Sequence, residues 1–169
     1  MWTDSIHDGR LQGSLGKNEK FHDGPCWDFV GLNYYSRDRI RFRASAIAHL
    51  FISQEEVKDA PTNDLGWEIY PEGLYRLLHQ FHDRYRLPIR ITENGIADAS
   101  DNRREEFLMD HLQQIARALN EGISVEGYYY WSFMDNFEWA EGYGPRFGLV
   151  EIDYETQARK VRKSAQSLK

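Results

Sequence analysis

An alternation of apolar strands with amphipathic helices is the feature that most constrains the fold of this chain. Apolar runs at residues 27–35, 89–92 and 125–131 predict three buried strands. Two helices lie between them: the first opens at Pro71 and stops before Pro88, and the second spans about residues 103–120. Each helix has an apolar face at helical spacing, formed by Leu74, Leu77, Leu78, Phe81 and Tyr85 in the first and by Phe107, Leu108, His111, Leu112, Ile115 and Leu119 in the second.

Strands that alternate with helices indicate an α/β fold, in which parallel strands are joined by right-handed crossovers. In such folds the reactive groups lie at the C-terminal ends of the strands. Asn33 and Tyr35 end the first predicted strand. Glu93 ends the second, and Trp131 ends the third. The pattern therefore predicts one site at this edge of the sheet.

The remaining segments are less regular. Residues 8–25 are rich in Gly, Asp and Lys and are predicted to form a loop, and residues 36–66 are irregular with one short strand near residues 40–43. Residues 98–106 are predicted as a solvated loop and helix start, and residues 158–168 as a short charged helix. With 169 residues, the chain is expected to form a single domain, residues 1–169, around one core.

Composition excludes several classes of protein. A hydrophobic content of 41% and a charged content of 28% are typical of a globular chain. The net charge of -6 argues against nucleic acid as a partner, and the basic run at residues 37–43 alternates its charges as a solvated strand face does. We see no signal sequence and no apolar run of membrane-spanning length, so we expect a cytoplasmic protein with no membrane partner.

No metal and no cofactor is expected. Cys26 is the only cysteine, which rules out an intramolecular disulfide and a thiolate metal cluster. His79 and His82 lie close together on the first helix without an evident carboxylate partner, so packing is favoured over metal binding. The GYG sequence at residues 142–144 lacks the strand-to-helix context of a dinucleotide-binding fingerprint.

Glu93 is the strongest single candidate for chemistry. It follows a short strand and precedes the turn pair Asn94-Gly95, so a cap on that turn is the alternative interpretation. Residues 131–139 favour chemistry, because they place two Trp and two acidic side chains in one segment after a strand. Aromatic faces stack on pyranose rings, and carboxylates accept hydrogen bonds from paired hydroxyls. The alternative for that segment is a Trp-rich loop that only covers the mouth of a barrel.

Five segments resemble glycoside hydrolase family 1, the β-glucosidase and β-galactosidase family. They are DFVGLNYY at residues 28–35, GWEIYPEGL at residues 66–74, ITENG at residues 91–95, YWSFMDNFEW at residues 130–139 and GYGPRFGL at residues 142–149. They occur in order and at familiar spacing, and the resemblance extends over nearly the whole chain. It implies a (β/α)8 TIM barrel, of which this chain would be the C-terminal part, about strands six to eight.

The resemblance also implies roles for single residues in a retaining β-glycosidase. Glu93 matches the catalytic nucleophile, and Tyr35 matches the tyrosine that hydrogen-bonds the nucleophile and orients it. Asn33 lies in the same wall. The matches in sugar binding are Trp131 as the platform under the glycone ring, Glu138 for the outer hydroxyls with Trp139 beside it, and Phe147 as a pocket-wall aromatic.

One required group has no match in the sequence. A retaining glycosidase needs a second carboxyl group roughly 5 Å from the nucleophile. The family carries it in a Thr-Xaa-Asn-Glu-Pro motif, which does not occur in this chain. We therefore expect a truncated gene product, or a piece that assembles with a complementary barrel fragment or with copies of itself, because a three-stranded slice has open edges.

Three functions stay open at this point. The first is a β-glycosidase that hydrolyses β-glucosides or β-galactosides, with a small carbohydrate as its ligand. The second is a catalytically incompetent remnant that binds sugar or serves as an assembly piece. The third is a purely structural role, in which Glu93 affects neither sugar binding nor activity.

Overall fold

The computed structural model of the chain describes residues 7–8, 10–11, 19–20, 23–24, 26–42, 52–54 and 59–168. The strands are β1 Arg10–Leu11, β2 Glu19–Lys20, β3 Val30–Asn33, β4 Ile40–Phe42, β5 Ile52–Gln54, β6 Ile89–Asn94, β7 Val125–Tyr130, β8 Val150–Ile152 and β9 Arg159–Val161. The α-helices are α1 Pro71–Tyr85 and α2 Arg104–Asn120. Short 3-10 helices follow at Trp139–Glu141 and Lys163–Leu168.

Three strands form the central sheet, in the order β3–β6–β7. Both pairs are parallel, with Leu32 opposite Ile91 and Ile91 opposite Tyr128. The helix α1 connects β3 to β6, and α2 connects β6 to β7. The parallel sheet with helical connections that the sequence predicts is therefore confirmed.

The two faces of the central sheet differ. One face packs on the helices through a single buried cluster that includes Val30, Leu32, Ile89 and Ile91 from the strands and Leu74, Leu78, Ile115 and Ala118 from the helices. Full burial of one such side chain stabilises the fold by about 1.5–3 kcal/mol. The opposite face carries Gly31, Asn33, Arg90, Thr92 and Glu126, which are half-buried or exposed. Within the described residues this face is uncovered, as the inner face of a partial barrel would be.

Backbone chemistry sets both ends of α1. Pro71 occupies the first turn, where its missing N–H costs nothing. Arg86 ends the helix in the left-handed conformation, with φ of 55°, and donates its N–H to the carbonyl of His82.

Asp98 caps the start of α2 and is not part of a solvated loop as predicted. Its side chain is buried, and its Oδ2 accepts the N–H groups of Arg103 and Arg104 at 2.8 and 3.0 Å. Burial opposes the charged form, but these N–H groups, the Ser100 hydroxyl and the charge of Arg104 together hold the pKa of Asp98 below its usual value. The rest of the prediction for residues 98–106 is confirmed, since most of these side chains are exposed and the helix starts at Arg104.

The helix predicted for residues 158–168 is wrong. Arg159–Val161 is strand β9, paired antiparallel with β8, and only the 3-10 helix Lys163–Leu168 follows it. Asp153 reverses the chain, because its Oδ1 accepts the N–H groups of Glu155 and Thr156 at 2.9 and 3.0 Å. All three residues of β9 are exposed. An exposed strand without an apolar face has no period that distinguishes it from a charged helix.

The outer strands agree with the sequence in part. The strand predicted near residues 40–43 is confirmed as β4, but its partner β5 falls in a stretch predicted as irregular. The loop predicted for residues 8–25 includes the antiparallel pair β1–β2. In the basic run, Asp38, Arg39 and Ile40 are exposed, but Arg37 and Arg39 both bind Glu68.

The histidine pair on α1 also differs from expectation. The His79 Nε2 lies 2.7 Å from an oxygen of Glu121, so a carboxylate partner exists at the end of α2. Within the described ranges, no group of three or more His, Cys, Asp or Glu side chains is placed to hold a metal ion. No helix in that same part of the chain is long and apolar enough to cross a bilayer.

His111 predicts a pH dependence of stability. It is fully buried in α2, donates Nδ1–H to the Phe107 carbonyl at 2.7 Å, and burial lowers its pKa from 6.5 to about 4. The unfolded chain therefore binds a proton at a higher pH than the folded chain does. We expect stability that is present above about pH 6.5 to be lost as the pH falls toward about 4, by up to roughly 3 kcal/mol.

Urea unfolding of the chain and of His111→Gln between pH 7.5 and 4 isolates this effect, because carboxylates contribute equally to both. The difference in unfolding free energy between the two proteins should shrink as the pH falls. A difference that is constant over this range would contradict a buried, neutral His111.

Candidate active site

Glu93 and Tyr35 meet at the C-terminal edge of the central sheet. The Tyr35 hydroxyl donates to the Glu93 Oε2 at 2.8 Å, and the Tyr34 N–H donates to the Glu93 carbonyl at 2.9 Å. Burial, followed by the hydrogen bond to Glu93, raises the pKa of Tyr35 above its ordinary value. The phenol therefore keeps its proton and remains a donor to this carboxylate.

Asn33 lies in the same wall but contacts a different partner. It pairs with Glu93 across the β3–β6 ladder, and its side chain is exposed on the uncovered face. Its Oδ1 accepts a hydrogen bond of 2.6 Å from the Thr92 hydroxyl. That contact fixes the carbonyl side of the amide, so its NH₂ group is the part that can meet a ligand.

Trp131 connects the strand end to the segment that follows it. Its N–H donates to the Asn94 carbonyl at 2.9 Å, and its indole Nε1 lies 3.4 Å from the Glu138 Oε2. Both side chains are half-buried. Trp139, in contrast, is 81% exposed and stands at the outside of the group.

Phe147 lies behind Tyr35. It is buried, and its ring centroid lies 6.1 Å from that of Tyr35 in an edge-on arrangement. Trp67 completes the aromatic group, at 6.0 Å from Tyr35 and 6.2 Å from Phe147. Trp67 was not among the predicted site residues, although it lies in the GWEIYPEGL segment.

Glu68 holds the Trp67 segment in place. Arg37 binds it through two hydrogen bonds of 2.8 and 2.7 Å, and Arg39 adds one of 3.2 Å. The bonds from Arg37 lower the pKa of Glu68. The guanidinium of Arg37 also lies 3.5 Å above the Tyr70 ring. These contacts of Arg37 and Arg39 join residues 35–39 to residues 67–70 and so keep Trp67 beside Tyr35.

Asp135 anchors the Trp131–Trp139 segment to the residues that follow it in the chain. Its buried carboxylate binds Arg146 at 3.3 Å and Arg162 at 3.0 Å. It also accepts the N–H groups of Gly148 at 2.9 Å and Ile152 at 3.3 Å. Asp135, one of the two acidic residues in the segment that suggested sugar binding, is therefore structural.

Arg104 is a second buried anchor that the sequence did not reveal. It is fully buried, and its guanidinium donates to the Tyr130 hydroxyl at 3.0 Å and to the Arg146 carbonyl at 2.8 Å. Tyr130 in turn donates to the Phe147 carbonyl at 3.1 Å, and burial raises the pKa of Tyr130 to about 12. These bonds join the end of β7 to the segment that carries Phe147.

Contacts in the described residues join Tyr35 to Glu93 and to Phe147, and Trp131 to Glu138. Asn33 is exposed and pairs with Glu93 in the ladder, and Trp139 is the exposed neighbour of Glu138 in the chain. The sequence model of glycosyl hydrolase family 1 matches residues 17–169. The chain belongs to this family.

Individual relatives agree with the assignment to family 1. A beta-galactosidase of Sulfolobus acidocaldarius is 40% identical over 169 residues, which covers 96% of this chain and 34% of the relative. Beta-glucosidase A of Thermotoga maritima is 43% identical over 147 residues, which covers 81% of this chain and 32% of the relative. A solved beta-glycosidase from Pyrococcus horikoshii superposes with a TM-score of 0.81 at 42% identity, covering 96% of this chain and 38% of that one. The chain thus spans about a third of the length of these family 1 proteins.

Gly95 predicts a steric limit beside the nucleophile candidate. A Cβ at this position would overlap the Trp131 carbonyl oxygen, which is backbone and cannot turn away. We expect Gly95→Ala to lower the free energy of unfolding by about 2 kcal/mol, because either strand end must move.

Gly144→Ala is the matched control, since a Cβ there would find its nearest neighbour, the Glu141 carbonyl, at 3.7 Å. That substitution should change stability by less than about 0.5 kcal/mol in urea unfolding. Equal effects of the two substitutions would show that the Gly95–Trp131 approach is not tight.

Proposed function

We propose that this chain supplies the nucleophile, Glu93, and part of the glycone pocket of a retaining β-glycosidase. The observation that carries the proposal is the 2.8 Å hydrogen bond from Tyr35 to Glu93 at the C-terminal edge of a parallel sheet. A phenol with a raised pKa orients one carboxylate oxygen and leaves the other free for attack.

The reaction has two displacements. A carboxylate oxygen of Glu93 attacks the anomeric carbon and forms a glycosyl ester, while the bond from that carbon to the aglycone oxygen breaks. Its electron pair leaves with the oxygen, which takes up a proton. Water then attacks the same carbon, releases Glu93 as a carboxylate and loses a proton, so the configuration is retained.

The neighbouring side chains suit the glycone. Trp131 offers an aromatic face for the pyranose ring, and Glu138, within reach of the Trp131 indole, accepts from outer hydroxyls. Asn33 offers amide donors, Phe147 closes the wall behind Tyr35, and Trp139 extends the aromatic surface outward.

The substrate class follows from the relatives. Their names are beta-galactosidase and beta-glucosidase, and one solved Thermotoga maritima beta-glucosidase is bound to glucoimidazole. A carboxylate such as Glu138 can accept hydrogen bonds from either arrangement of the outer hydroxyls. We therefore assign β-glucosides and β-galactosides together as substrates.

The acid that protonates the aglycone is the missing part. The chain contains no Thr-Xaa-Asn-Glu-Pro motif, and Glu138 is committed to sugar binding in this proposal. Loss of general acid help typically slows a reaction by about 10² to 10⁴. The first displacement should therefore proceed only with an aglycone that leaves without a proton.

Covalent trapping tests the proposal. Dinitrophenyl 2-deoxy-2-fluoro-β-glucoside releases a phenolate that needs no proton, and its fluorine slows the second displacement. We expect intact-mass spectrometry to show one fluoroglycosyl group on the chain, and peptide mapping to place it on Glu93.

Two variants sharpen this test. Glu93→Gln should form no adduct, because an amide is not a nucleophile here. Glu126→Gln is the matched control, since Glu126 is an exposed carboxylate of the same sheet that pairs with Arg90 at 3.2 Å. An unsubstituted chain that folds but gains no mass would refute the enzymatic proposal for this chain.

A second function is favoured by the uncovered sheet face. Within the described residues, β3 and β7 are the edges of the central sheet, and one face of the sheet is open. We propose that this surface assembles, either with the complementary part of a family 1 barrel or with copies of the chain, because open edges and bare faces favour pairing.

Complementation measures this second function. We expect the N-terminal two-thirds of the Thermotoga maritima beta-glucosidase, made as a separate chain, to bind this chain and to restore hydrolysis of nitrophenyl β-glucoside. Light scattering after size exclusion gives the mass of each species. A folded monomer that neither self-associates nor binds this probe would rule out the assembly function.

A further inference from the structure

Asn94 is the last residue of β6, and its side chain is fully buried between two other strand ends. Its Nδ2 donates to the Tyr34 carbonyl, just after β3, at 2.7 Å. Its Oδ1 accepts from the Tyr128 hydroxyl of β7 at 2.8 Å. Its own carbonyl accepts the Trp131 N–H at 2.9 Å. One residue therefore joins the C-terminal ends of all three strands, next to Glu93.

Both ladders are irregular at this point. The β3–β6 register shifts between Leu32 and Asn33, and the β6–β7 register shifts between Ile91 and Asn94. A register shift interrupts regular backbone pairing and re-aims the side chains beside it. The Asn94 amide supplies hydrogen bonds where the ladders are interrupted, and Glu93 is the residue directly before it in β6.

The chemistry of the two partners requires an amide. The Tyr34 carbonyl can only accept a hydrogen bond, and the hydroxyl of the half-buried Tyr128, whose pKa is raised by loss of solvent, remains a donor. A carboxylate has no donor for the carbonyl, and an apolar side chain has neither group. Asparagine supplies both a donor and an acceptor without having to take up a proton.

We propose that Asn94 is a positioning residue that fixes the Glu93 carboxylate against Tyr35 by tying β6 to the ends of β3 and β7. This role rests on the proposed function, because it gives Glu93 a chemical task. Asn94 itself contacts no reacting atom. Its effect is expected on the rate of attack by Glu93 and not on the binding of the glycone.

Amide hydrogen exchange tests the tie without reference to chemistry. The Tyr34 and Trp131 N–H groups donate to the carbonyls of Glu93 and Asn94, whereas the Ile89 N–H donates to Ser124 at the other end of β6. In Asn94→Asp we expect exchange at Tyr34 and Trp131 to accelerate about tenfold while exchange at Ile89 is unchanged. Equal exchange in both proteins would overturn the proposal.

Trapping by the dinitrophenyl fluoroglucoside tests the consequence. The maximum trapping rate of Asn94→Asp should fall by about 10- to 100-fold, because small displacements of a reacting group have effects of that size. The half-saturating concentration should change less than about threefold, since the glycone contacts are intact. A rate equal to that of the unsubstituted chain would also overturn the proposal, by reducing Asn94 to a structural role.

Two further variants separate loosening from unfolding. Tyr128→Phe removes only the donor to Asn94 and should shift exchange and trapping rate in the same direction by a smaller factor. Ile115→Val shortens a core side chain of α2 and should leave the trapping rate of the folded chain unchanged. If the unsubstituted chain forms no adduct, the proposed function fails and the catalytic meaning of Asn94 fails with it. The exchange data then show separately whether the strand ends are tied.

Discussion

The parallel pairing of β6 with β3 and β7 is the interaction on which the site depends. Parallel strands present their C-terminal ends at one edge, so Tyr35, Glu93 and Trp131 become neighbours although they are far apart in sequence. In a regular ladder, the alternation of side chains along β6 would by itself determine which face of the sheet Glu93 lies on. The register of both ladders shifts at this edge, and there the Asn94 amide donates to the Tyr34 carbonyl and accepts from the Tyr128 hydroxyl.

The acidic residues around the site form two groups, those bound by arginine side chains and those bound by neutral donors. Asp135 is bound by Arg146 and Arg162, and Glu68 by two arginines of the preceding segment. In the described part of the chain, the side-chain donors to Glu93 and Glu138 are the neutral Tyr35 hydroxyl and Trp131 indole. The charges of Asp135 and Glu68 are therefore balanced by arginine within the fold, whereas the hydrogen bonds to Glu93 and Glu138 come from neutral groups.

Sequence reasoning succeeded where a signal is local and periodic. The two helices and three strands follow from apolar spacing, and the strand-end positions of Glu93 and Trp131 follow from that order. It failed where a polar side chain meets partners distant in sequence. Asp98, Arg104 and Asp135 are buried hubs, yet each stands in a stretch whose composition is that of a solvated loop or a binding segment. Strand β9 was missed for a related reason, because it buries no side chain.

A third of a barrel can keep this wall intact because each strand borders the next one in sequence, and the contacts that shape the wall are made between consecutive βα units. The second carboxyl group is a different kind of requirement, set by a distance across the pocket. The two stages of the proposed reaction differ in the same way, because one needs groups on this wall and the other needs a group across the pocket. In the proposed function, formation of the glycosyl ester needs only an oriented nucleophile on one face of the anomeric carbon and a leaving group that departs from the opposite face without a proton. Turnover of ordinary glycosides needs a proton delivered from the other side, so it depends on whatever covers the open face of the sheet.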